Sequence, residues 1–126
     1  MIWTYGAIAF FGVLGCWARY AQANLVQLVY GRDFPYATLT INVMGSFLMG
    51  FLFVETLERL TLAPWIRTGI LTGFLGGYTT FSTFSLDAVL LWERGAILTA
   101  AAYVIASVVL SLVGLFGGLA LVKALT

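Results

Sequence analysis

Residues 76–85 read GGYTTFSTFS. They lie inside a stretch, Thr68 to Leu86, that carries no charge, yet they crowd two glycines, a run of hydroxyl side chains and two phenylalanines three apart into one decapeptide. An unbroken membrane helix has no use for that composition. Gly76 and Gly77 free the backbone to leave the helix, and Thr79 and Thr80 carry hydroxyls that satisfy released backbone groups, so a break is predicted here. A break frees carbonyls. Irregular backbone at membrane depth is tolerated where protein or a cavity covers it, and unwound carbonyls in that setting commonly bind a cation. Two copies of the chain meeting at a twofold axis would supply twice the oxygens.

The remainder of the chain makes lipid the relevant solvent. Of its 126 residues 62% are hydrophobic and only 9% charged, against about a quarter charged in water-facing domains. Charges and turn signals divide it into four apolar blocks, about 3–29, 37–57, 65–91 and 97–122, each long enough to cross a hydrocarbon core of about 30 Å as a helix. No block alternates as a barrel strand would. The expectation is a single all-α membrane domain over 1–126 with four transmembrane helices, the third broken. The N-terminus lacks a basic n-region and a small-x-small cleavage site, so it reads as a retained first span.

Charge placement bears on assembly. With four spans the termini share a side, which collects Arg59, Arg67 and Lys123, while the other collects Arg32 and Arg94. Counting Arg19 with the second group by snorkelling removes even that bias. A chain without a positive-inside preference admits insertion both ways, which allows an antiparallel homodimer. Small residues at spacing four, Gly69, Gly73 and Gly77 on the third span, Gly114 and Gly118 on the fourth, Ser46 and Gly50 on the second, predict close helix packing.

Within the spans the polar groups are almost all neutral. Asn42 is a buried amide whose donors and acceptor need partners beyond its own helix. Tyr103, Ser107 and Ser111 fall on one face of the fourth helix at spacing four; two serines alone would be ordinary helix glue, but the three together suggest a polar lining. Phe81 and Phe84, three apart, share a face, and ring edges are positive. Edges beside the Ser82 and Thr83 hydroxyls suit a small anion, because neutral donors hold it without the trap that a full charge would make. Arg19 is the one intramembrane charge, placed either to snorkel or to gather anions at a mouth.

Other classes fit poorly. Histidine is absent, Cys16 is alone, and no nucleophile–base pair or ligand cluster appears, so no enzyme is expected. Nothing in the +1 net charge suggests nucleic acid. A small drug exporter needs a central carboxylate in its first span, whereas residues 1 to 54 contain only Asp33, in a turn. An assembly subunit would tolerate loss of the polar stripe and of both Phe residues.

GGYTTFSTFS, with Asn42, the Arg of GCWARY and the polar face of the fourth span, resembles the Fluc (CrcB) family of bacterial fluoride channels over the whole chain. The resemblance implies a passive channel that exports fluoride across the bacterial inner membrane, built as a dual-topology antiparallel homodimer with two pores. It implies fluoride contacts at Phe81, Phe84, Asn42, Ser82, Thr83, Tyr103 and Ser111, with Ser107 on the same face, and Arg19 at a vestibule. It also implies a structural sodium ion held by the backbone carbonyls of Gly76 and Thr79. Reporters fused to the C-terminus are expected to signal from both sides of the membrane in comparable amounts; signal from one side alone would refute dual insertion.

Overall fold

The computed structural model describes all 126 residues, Met1–Thr126, and contains helices and turns without strands. Helix α1 runs Ile2–Tyr30 and α2 runs Tyr36–Val54, continuing as a π-helical turn, Glu55–Arg59. The third span opens with α3, Pro64–Thr68, where Pro64 sits in the first turn and its missing N–H costs nothing. It passes through a π-helical stretch, Gly69–Leu75, into α4, Gly76–Tyr78, stops, and resumes as α5, Phe81–Glu93; α6, Ile97–Leu125, completes the chain. The links at 31–35 and 94–96 are short, and each turns on a glycine at positive φ: Gly31 at 78° and Gly95 at 82°.

Only 20 of the 126 residues are buried, while Phe10, Ile105, Leu112, Phe116 and many others face outward. Such an apolar exterior belongs in lipid. Two helical stretches, Tyr36–Arg59 and Ile97–Leu125, are long and apolar enough to cross a membrane.

Helices packing in lipid gain little from hydrophobic exclusion, so their contacts depend on close backbone approach. The glycine stripe of the third span lies against α1. A Cβ on Gly69 would stand 2.7 Å from that of Ala7, one on Gly73 2.8 Å from the Ile8 carbonyl oxygen, and one on Gly77 2.8 Å from the Gly12 carbonyl oxygen. Along the α2–α6 seam, Gly50 meets the Leu115 carbonyl and Gly118 meets backbone of Phe47 and Phe51.

The break falls where the decapeptide predicts it, but by a different device. Gly76 remains helical (φ −63°, ψ −38°) and Gly77 lies within α4; the extended residues are Thr79 (φ −81°, ψ 159°) and Thr80 (φ −150°, ψ 115°). Both lie in the β region, which suits β-branched residues and asks for no glycine. Gly77 is small for another reason, its approach to Gly12 and Cys16.

Gly73→Val is expected to cost about 1–3 kcal/mol by forcing α1 and the third span apart, while Gly6→Ala, which meets nothing within 4 Å, leaves stability unchanged or slightly higher. Thermal unfolding in detergent checks both.

Candidate functional site

A helix that stops among apolar neighbours must find new partners for the rungs it abandons. In an unbroken helix the Thr80 N–H would donate to the Gly76 carbonyl. Here it donates to Asn42 Oδ1 on α2, at 2.8 Å, while Asn42 Nδ2 donates to the Thr80 carbonyl at 3.0 Å. The Thr83 N–H would likewise reach the Thr79 carbonyl, but it caps on Thr80 Oγ1 at 3.1 Å and so starts α5. Thr79 Oγ1 turns back to the Leu75 carbonyl at 2.8 Å. With their ordinary donors taken, the carbonyls of Gly76 and Thr79 are left without a hydrogen bond.

Both residues line a groove of about 380 Å³ between the break, α2 and α6. Asn42, Phe81, Phe84, Ser107 and Ser111 line it too. Phe84 is 9% exposed and Phe81 79%, with ring centroids 5.5 Å apart. Ser107 is 6% exposed and its Oγ has no hydrogen-bond partner, so it does not bond back to its own helix.

Other sequence-predicted residues lie elsewhere in the chain. Ser82 and Thr83 belong to the cap of α5, where Thr80 Oγ1 donates to Thr83 Oγ1 at 3.1 Å. Tyr103 is fully buried beyond Phe84, ring to ring at 5.3 Å, and donates to Asp87 Oδ2 at 3.1 Å. From Phe81 the rings form a file through Phe84, Tyr103 and Phe34 to Tyr36, with neighbouring centroids 4.7–5.6 Å apart. Arg19 is not among the residues that line the groove; its Nε donates to the Gly77 carbonyl at 3.0 Å.

A clamped break beside hydroxyls and aromatic rings is specific enough to compare. The model of the family described as CrcB-like protein, Camphor Resistance (CrcB), matches residues 6–119. The chain belongs to this CrcB-like family. Among its relatives, a protein of Acidithiobacillus ferrooxidans (strain ATCC 53993 / BNL-5-31) is 56% identical over 118 residues, 94% of each chain. One of Geobacter metallireducens is 54% identical over 110 residues, 86% of this chain and 88% of the relative. One of Methylococcus capsulatus is 50% identical over 119 residues, 94% of this chain and 52% of the relative. All three carry the name fluoride-specific ion channel FluC.

Three residues of this CrcB-like site escape the sequence reading. Gln22, Tyr78 and Asp87 each make a side-chain bond across helices. Asp87 reads as a span-end carboxylate until Tyr103 is placed beside it. Gln22 follows Arg19 by three residues, a helical spacing that puts the two on one face.

Asn42→Ala removes both bonds to Thr80 and leaves two partly buried backbone groups unpaired, at about 1–3 kcal/mol each. The Thr80 amide is then expected to exchange about ten- to a hundredfold faster; hydrogen exchange resolved at that residue measures it, and unchanged protection would show that the clamp does not hold the break.

Proposed function

We propose that the chain is a passive, fluoride-selective channel of the bacterial inner membrane, crossing it four times and working as an antiparallel, dual-topology homodimer with two pores. The observation that carries this reading is the groove lined by Phe81, Phe84 and Ser107, whose buried hydroxyl has no partner, in a chain whose relatives are named as fluoride channels. A buried hydroxyl without a partner is costly, and an anion accepting its proton removes that cost. Fluoride is the strongest hydrogen-bond acceptor among the halides. Hydroxyls and an amide replace its water most effectively, and positive ring edges add attraction without a full charge. Such a site releases what it binds.

On this reading Asn42, Ser107 and Ser111 supply donors along the groove, and Phe81 and Phe84 hold the narrow part. Ser82, Thr83 and Tyr103 extend the polar route along α5 and α6, and fluoride leaves the cytoplasm down its own gradient.

The residues present also fit a structural cation. The Gly76 and Thr79 carbonyls are hard oxygens, both line the groove, and no hydrogen bond ends on either. At a twofold axis each chain would present this pair to the same point. A sodium ion held there would offset the converging carbonyl dipoles and tie the two copies together.

Liposomes containing the purified protein are expected to release fluoride but not chloride, without a proton gradient. Phe81→Ile and Asn42→Ala should slow release at least about tenfold while dimers persist. Replacing sodium by a bulky organic cation during purification should weaken the dimer on size exclusion. Equal fluoride and chloride release, or normal flux in both variants, would count against the proposed pathway.

A further inference from the structure

Three of the backbone groups freed at the break find substitute partners, and one of these comes from α1. In a continuous helix the Gly77 carbonyl would accept the Phe81 N–H. Here the two extended threonines carry Phe81 away, its N–H makes no hydrogen bond, and Arg19 Nε fills the vacated acceptor at 3.0 Å. Arg19 is half-buried near the middle of α1, and its charge meets the C-terminal end of the helical run 64–78, where carbonyl dipoles favour a cation. One turn along the same face, Gln22 accepts from the Tyr78 hydroxyl, and its Nε2 reaches Thr40 Oγ1 at 3.5 Å and Met44 Sδ at 3.4 Å. Consecutive residues of α4 are therefore held from α1, while Asn42 holds the next stretch from α2.

We infer that Arg19 is a positioning residue: by occupying the Gly77 carbonyl that Phe81 would otherwise use, it keeps the third span from closing into a continuous helix. This goes beyond a vestibule charge, because the hydrogen bond rather than the positive charge is what matters. The Gly77 carbonyl has two possible donors, a helical N–H close by in sequence and a guanidinium anchored on a neighbouring helix. Close packing of Gly77 on Gly12 and Cys16 keeps that carbonyl within reach of α1. If Arg19 lets go, helix propagation recovers the rung.

Side-chain geometry supplies a discriminating series. In Arg19→Gln the amide nitrogen sits the same number of bonds from the backbone as Arg Nε, so the donor remains and the charge is lost. Arg19→Lys keeps the charge, and Arg19→Met keeps neither. In Arg19→Met the Phe81 amide should exchange about tenfold more slowly, as it regains an acceptor; simple loosening of the fold would speed exchange instead. The flux arm rests on the proposed channel function: fluoride release should fall at least about tenfold in Arg19→Met and stay within about threefold of the parent in Arg19→Gln. Two results would overturn the inference. One is Phe81 exchange in Arg19→Met that is unchanged or faster. The other is Arg19→Gln as impaired as Arg19→Met while Arg19→Lys conducts normally, which would assign Arg19 to charge alone. Should Arg19→Met fail to fold, the Gln and Lys variants decide by the same flux comparison. A parent that releases no fluoride would refute the proposed function, and the exchange result would still decide the role of Arg19.

Discussion

The structure depends on a substitution of hydrogen bonds: the amide of Asn42 pairs with both backbone groups of Thr80, much as a neighbouring strand would. In water a helix can stop anywhere, because solvent takes up the loose ends. In a bilayer each loose end carries the full cost of desolvation. A break is stable there only if the protein supplies donors and acceptors from elsewhere, and a side-chain amide, with donor and acceptor side by side, is the compact means of doing so.

That requirement is met only in part. Asn42 takes the Thr80 N–H and Thr80 Oγ1 takes the Thr83 N–H, so the carbonyls of Gly76 and Thr79 lose their ordinary donors and gain none. Exposed oxygen dipoles inside lipid are a liability that a cation or a polar cavity relieves. The groove along α2 and α6 lies against them, with an unpaired hydroxyl on its wall. Stability and the proposed ion path draw on the same few residues.

Packing enforces the arrangement from outside. The Gly69, Gly73 and Gly77 stripe brings the third span against α1 closely enough for Arg19 to reach the Gly77 carbonyl. The Gly50 and Gly118 contacts bring α2 against α6 and set the opposite wall of the groove. The broken element is thus gripped between two close-packed pairs rather than left to its own propensities.

Sequence by itself determined the all-helical class, the position of the break and the glycine faces, since each follows from hydrophobic length, local composition or helical spacing. It marked Asn42 as a side chain that needed partners, and it placed Tyr103, Ser107 and Ser111 on one face. Only the tertiary structure decided which partners those were. It assigned the extended conformation to Thr79 and Thr80 instead of the glycines, set Tyr103 on Asp87 and Ser107 on the groove, and turned Arg19 inward to a carbonyl. The reason is physical. Periodicity fixes which side of a helix a residue occupies, but hydrogen-bond partners lie across helices far apart in sequence, and competition for a shared acceptor is settled only when the helices are in place.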